Sequence, residues 1–266
     1  LLIYVLGPIQ RNELPLVFEN LTFDGGLTNG LQNYRYWTIH QGNGEGWDTT
    51  HHCLADHNPF PETPQMHQLK IFTNCVFQHW RGEILICWTA GKGGTNTFND
   101  IGNCVFQDGN ASAINLYYGQ HIHGCTFRNL EKVEEYYQFN TSLPCVFENN
   151  TWSNILGNPF SIVGARTVEN PQPFTFFNND LWGTRNTDQF HFAPAQNITI
   201  ISNRFYGVAA GISFSGVGVQ PSDGTAAVIS NIVVACNQFN DSAAPINMDG
   251  YPVTDVLISN NTATAN

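Results

Sequence analysis

Nine six-residue segments follow one pattern, apolar, any, small or Asn, Asn or Cys, any, aromatic, from which Leu21, Leu181 and Thr262 depart. They are FENLTF from Phe18, FTNCVF from Phe72, IGNCVF from Ile101, IHGCTF from Ile122, FENNTW from Phe147, FFNNDL from Phe176, IISNRF from Ile200, VACNQF from Val234 and LISNNT from Leu257. Successive starts lie 54, 29, 21, 25, 29, 24, 34 and 23 residues apart, mostly the length of one solenoid coil. A unit this short cannot bury its own apolar face. Stacked units bury one continuous core.

A second strand is expected 12 to 15 residues after each motif start. It reads apolar, any, apolar at Ile84/Ile86, Ile114/Leu116, Tyr137/Phe139, Phe160/Ile162, Phe190/Phe192, Ile212/Phe214 and Ile246/Met248. Period-two alternation buries one face of a strand and exposes the other. Coils of this length have no room for a helix as well as two or three strands. The predicted fold is therefore all-β: a right-handed parallel β-helix (solenoid) of about nine to eleven coils with Asn/Cys and aromatic ladders, one domain over residues 1–266.

The fourth motif position forms a column of Leu21, Cys75, Cys104, Cys125, Asn150, Asn179, Asn203, Asn237 and Asn260. Asn tolerates the left-handed backbone of a sharp turn, and stacked Asn amides hydrogen-bond from coil to coil. The Cys members act as small apolar fillers or form coil-to-coil disulfides; both readings stand. Seven Cys is an odd number, so at least one thiol is unpaired within a monomer. The sixth position gives a second column of Phe23, Phe77, Phe106, Phe127, Trp152, Leu181, Phe205 and Phe239, read as an internal stack.

The periodicity resembles the right-handed parallel β-helix (pectate-lyase-like) superfamily over almost the whole chain. That resemblance implies the fold and leaves the chemistry open, because one fold hosts many activities. Asn186 to Phe192 (NTDQFHF) is similar to a catalytic segment of polygalacturonases, which would make Asp188 one carboxylate of an acid/base set and His191 its neighbour. The partner motifs of that family are missing. Val208 to Ile212 (VAAGI) stands where an adjacent Asp pair belongs, and Ser242 to Ile246 (SAAPI) where a Gly-His-Gly belongs. A lyase would need a basic residue and an acid cluster. The outward row expected on the second strands is Leu85, Asn115, Gln138, Ser161, His191, Ser213 and Asn247, with Tyr117 a second candidate base and Asp249 the nearest acid.

The long interval 31–68 carries Trp37, His40 and Trp47 as a candidate binding loop. In the same interval His51, His52, Cys53 and His57 have the ligand types of a zinc or copper site, at a spacing that matches no standard motif. No cofactor is required by this reading; a divalent metal, calcium or zinc, is an optional addition. Exposed aromatics such as Trp80, Trp88 and Tyr117 would serve a glycan-binding groove.

Composition narrows the partners. The net charge is −11, with only 10 Lys plus Arg, so the clustered cations needed to neutralise nucleic-acid phosphates are missing. No apolar run reaches the roughly 18–20 residues of a membrane span. Seven sequons, including Asn110, Asn140, Asn197 and Asn240 as glycosylation candidates, fit an extracellular or cell-surface location. The opening LLIYVLGPI lacks the basic start of a signal peptide, and neither end carries a capping helix. The chain therefore reads as a mature or trimmed product, or as one whose ends pair with further copies of itself. The first functional expectation is a non-enzymatic extracellular structural component, such as a sheath, appendage or adhesin, that self-assembles. The alternatives are a secreted polysaccharide lyase or glycoside hydrolase, and a tailspike-like glycan-binding module.

Overall fold

The computed structural model describes residues 3–5, 15–26, 53–58, 70–80, 84–89, 98–109, 112–116, 119–130, 132–138, 144–155, 160–164, 173–183, 188–192, 196–207, 210–215, 229–249 and 253–264. Their 27 strands fall into three nine-stranded sheets, and every strand pair is parallel. The chain visits sheet 1, sheet 2 and sheet 3 in turn, nine times. The first coil is β1 (Ile3–Val5), β2 (Leu16–Glu19) and β3 (Thr22–Asp24). The last is β25 (Ala244–Asp249), β26 (Val253–Ser259) and β27 (Thr262–Thr264). This is the expected parallel β-helix, and crossovers between parallel strands of L-residues wind right-handed.

The motif straddles the corner between sheets 2 and 3, which is two residues long in every coil. Its third residue carries the turn. Asn20, Asn74, Asn103, Asn149, Asn178, Ser202, Cys236 and Asn260 have φ between 52° and 59°, and Gly124 fills the same place at 62°. The left-handed residue is thus the third, not the fourth as the sequence reading had it. The fourth residue points inward and bridges coils. The Asn150 backbone N–H donates to Asn179 Oδ1 at 3.0 Å, Asn179 to Asn203 at 3.0 Å, and Asn203 to Asn237 at 2.9 Å. The ladder ends on Asn261, which accepts from the Asn237 N–H at 2.9 Å. Asn260 is the turn residue there, because β26 pairs Ile258, not Leu257, with Val234.

Toward the N-terminus the same corner uses sulfur. Cys75 N–H points at Cys104 Sγ and Cys104 N–H at Cys125 Sγ, both at 3.4 Å. The Cys125 N–H then reaches Asn150 Oδ1 at 2.8 Å, so one ladder passes from thiols to amides without a break. Cys53, Cys75, Cys104, Cys125, Cys145 and Cys236 are all free thiols, which selects the reduced reading for these residues.

Inside, the sixth-position column is buried and stacked, with Phe23–Phe77, Phe77–Phe106 and Phe106–Phe127 centroids 4.7–4.9 Å apart. That spacing is the distance between strands. Trp80 is also internal, its Nε1 donating to the Phe23 carbonyl at 3.2 Å, so it is not an exposed sugar platform.

Sheet 1 departs from the sequence reading in two coils. In β7 (Leu85–Thr89), Leu85 rather than Ile84 aligns with Ile114 of β10 (Ser112–Leu116), and both Ile84 and Leu85 are buried. Three consecutive apolar residues hide which pair faces in. In β13 (Lys132–Gln138), Glu134 aligns with Ile114 and with Phe160 of β16 (Phe160–Gly164), so Tyr137 and Phe139 are not the expected pair. The interval 31–68 contains β4 (Leu54–Asn58), which joins β1 to β7. The 54-residue step between Phe18 and Phe72 is therefore a single coil, since those two residues pair directly.

Candidate functional site

Two outward rows run along sheet 2, one on each side of the buried first motif residue. In β8 (Phe98–Gly102), Asp100 and Gly102 flank the buried Ile101. In β11 (Gly119–His123), His121 and His123 flank Ile122. In β14 (Cys145–Glu148), Val146 and Glu148 flank Phe147. Parallel register does the rest: Asp100 lies beside His121, and His123 beside Glu148.

The side chains converge. Asp100 Oδ1 is 3.4 Å from His121 Nδ1 and 3.2 Å from His123 Nε2. Glu148 Oε1 is 3.0 Å from His121 Nε2, on the far side of that ring. The two imidazoles stack with centroids 4.4 Å apart. Gly102 makes the room, because a Cβ there would come within 2.6 Å of the His123 ring. All four side chains are about one-third exposed, so the cluster meets solvent. The Asp100, His121 and His123 ligand atoms lie within 4.8 Å of one another and can hold a divalent cation.

This cluster was missed in the sequence because its members are about one coil apart. The signal was present in the residues flanking the first motif position, once the motifs are aligned as columns.

Of the metal ligands expected between residues 51 and 57, His51 and His52 lie outside the described residues, as do Trp37, His40 and Trp47 of the binding loop. His57 is placed by its backbone opposite Trp88. Cys53 is in the core, 1% exposed, and burial pushes its thiol up to about 12.

On sheet 1, Asp188 and His191 belong to β19 (Asp188–Phe192). The row through His191 runs Glu135, Ser161, His191, Ser213 and Asn247 on five successive strands. Glu135 stands where the sequence reading had Gln138, which pairs instead with Gly164. An acid and a histidine therefore share this row, alternating with buried Phe160, Phe190 and Ile212. Ser213, next to His191 in the row, is itself buried.

Of the glycosylation candidates, Asn197 accepts a bond from Asn231 Nδ2 at 2.6 Å and Asn240 one from Thr264 Oγ1 at 3.1 Å. Asn110 and Asn140 lie outside the described residues.

No protein-family model and no curated protein matches this chain. Two solved structures do. One is a double mutant of the periplasmic alginate epimerase AlgG, at 9% identity and TM-score 0.29, covering 85% of this chain and 53% of that one. The other is the A-module of the Azotobacter vinelandii mannuronan C-5 epimerase AlgE4, at 10% identity and TM-score 0.30, covering 94% and 73%. The chain thus spans about half the length of the first. The parallel three-sheet stack agrees with the pectate-lyase-like resemblance of the repeat, and at these scores the two likenesses add nothing about activity. No described helix is long and apolar enough to cross a membrane.

Proposed function

We propose that this chain is an extracellular polysaccharide-binding β-helix protein whose sheet 1 face turns its ligand over as a lyase or glycoside hydrolase. The observation that carries the binding half is an aromatic platform on sheet 3. Trp182 of β18 (Asp180–Trp182) is half exposed and stacks on Tyr206 of β21 (Arg204–Tyr206), with ring centroids 4.0 Å apart. Ser153, beside Trp182 in the preceding coil, is too small to cover the indole's other face. Arg128 lies one coil further along the same row and is held by Gln107 Oε1. Asp180 and Arg204 form a two-pronged ion pair beside the platform, one bond being 2.7 Å. A flat apolar ring edged by fixed polar forks suits a pyranose, which has an apolar face and a hydroxylated rim.

The turnover half rests on the Glu135–Ser161–His191 row, with Asp188 at the start of β19. General acid/base chemistry needs two groups that exchange protons with the substrate, and the strand register sets a Glu and a His in one row, two strands apart.

The test is a binding panel of neutral and uronate-containing polysaccharides, followed by product analysis. The native protein should bind at least one of them, and Trp182→Ala should lose that binding. Glu135→Gln and His191→Ala should abolish product formation, with binding retained. Equal binding by Trp182→Ala would overturn the platform, and unchanged turnover in both sheet 1 variants would overturn the catalytic row.

One observation favours a self-assembling structural role instead. In the last four coils the outward rows of sheet 2 are uncharged: Thr175, Phe177, Thr199, Ile201, Val233, Ala235, Leu257 and Ser259. Sedimentation and electron microscopy of the native protein decide this, since regular polymers at moderate concentration would favour assembly over catalysis.

A further inference from the structure

We propose that Asp100, His121 and His123 form a three-ligand site for a borderline divalent transition metal of the zinc class, with Glu148 as the carboxylate that orients His121. The inference stands on sheet 2 alone and is independent of the glycan reading.

The distances carry it first. Zinc bound at about 2.0–2.1 Å by tetrahedral nitrogen and oxygen ligands holds those ligand atoms about 3.3–3.4 Å apart. Asp100 Oδ1 lies 3.4 Å from His121 Nδ1 and 3.2 Å from His123 Nε2. Two edges of the tetrahedron are already set, by side chains on two adjacent strands.

The hydrogen-bond inventory carries it second. A neutral imidazole has one N–H and one lone pair. In the tautomer whose Nε2–H is donated to Glu148, the His121 Nδ1 lone pair faces the Asp100 carboxylate across 3.4 Å, and a cation bound by both groups would bridge them. The Glu148–His121 contact is also the usual outer-shell partner of a metal-bound histidine, which fixes tautomer and ring orientation.

The ligand types choose the metal. Two imidazoles and one carboxylate suit zinc and its transition-metal neighbours, whereas calcium takes six to eight oxygen ligands, which this cluster cannot supply. Three protein ligands at a one-third exposed position leave a fourth site open to water or to a ligand oxygen. Gly102 belongs to the site too, since any side chain there would displace His123.

The experiment is equilibrium dialysis of the folded, metal-stripped protein against Zn(II), with Ca(II) in parallel and Co(II) absorption as the spectroscopic readout. We expect one zinc per chain and no calcium at this position. The Co(II) bands should be those of nitrogen and oxygen ligands, without thiolate charge transfer. His121→Ala and His123→Ala should lose the ion while keeping the native circular dichroism, and Glu148→Gln should weaken binding about 10–100-fold at unchanged stoichiometry. Substituting His51 and His52 together should leave binding intact. The proposal is overturned if the native protein retains no zinc, if the His121→Ala/His123→Ala double variant binds as well as the native protein, or if Co(II) shows a thiolate band.

Discussion

The N-terminal and C-terminal coils run the same corner on different chemistry. Between Cys75 and Cys125 the ladder runs on soft sulfur, with Cys104 and Cys125 each offering Sγ 3.4 Å from the N–H of the cysteine one coil before. From Asn150 to Asn261 it offers an amide that accepts at 2.8–3.0 Å and also donates to a carbonyl of the preceding coil, as Asn179 does to Phe147 at 3.0 Å. The interior follows suit. One inward column of sheet 2 reads Lys70, Asn99, Gln120 and Cys145 in the earlier coils, all buried, then Phe174, Ile198 and Ile232. So does the exterior, where the Asp100–His121–His123–Glu148 cluster gives way to Thr and apolar residues. The difference teaches that a solenoid keeps its pitch by satisfying the corner N–H, and that any acceptor reaching it will serve. A stiff amide makes that acceptor strong, and a thiol makes it weak and adaptable.

The largest effect should come from breaking the amide half. Asn179→Leu strips the acceptor from the Asn150 N–H and the donor from the Phe147 carbonyl, both buried. At about 1–3 kcal/mol for each stranded group, urea unfolding should show a loss of about 2–6 kcal/mol. A loss under about 1 kcal/mol would mean the ladder is not what holds the corner.

Alkaline pH should loosen the thiol half next. Burial raises the Cys53 thiol from 9.0 to about 12 and the Cys125 thiol well above its ordinary range. The unfolded chain therefore loses these protons above about pH 9 while the folded chain keeps them, so stability falls as pH rises, by at most about 1.4 kcal/mol per pH unit for each thiol. Stability measured between pH 8 and 10.5 should fall less steeply in Cys53→Val than in the native protein. Equal slopes would show that Cys53 does not carry the effect.

Converting one half into the other is a subtler test. Cys125→Asn places Oδ1 near the Cys104 N–H and Nδ2 near the Ile101 carbonyl, where Sγ now sits at 3.4 Å from each. It should be neutral or stabilising by about 1 kcal/mol, read as a small rise in the unfolding midpoint. The smallest change is chemical: Cys236, the exposed thiol among those described, should alkylate at once in the folded protein, and the five buried ones only on unfolding.

What was legible in the sequence is what repeats. The two ladder columns could be read because the corner has constant length, so a residue's place in the motif is its place in space. Asn260 was misplaced for Asn261 because the last motif carries two Asn in a row and its apolar Leu257 and Ile258 both fit the first position. Sheet 1 was harder. Its strands follow corners of varying length, and at Ile84, Leu85 and Ile86 there is no alternation to read. The Asp100–His121–His123 cluster was invisible to linear spacing, because only parallel register sets Asp100 beside His121, 21 positions on, with His123 two residues further along the same strand.

The two-residue corner between sheets 2 and 3 also has a consequence for change. Because it never varies among the nine coils, it works as a ruler that sets every coil to one height. Length can then be added or removed elsewhere in a coil without disturbing the count. The coil from Phe18 to Phe72 shows how far this goes, holding 54 residues in a stack whose other repeats need about half as many. Segments inserted before sheet 1 or between sheets 1 and 2 would inherit a rigid mount, and a graft made there should leave the corner unmoved.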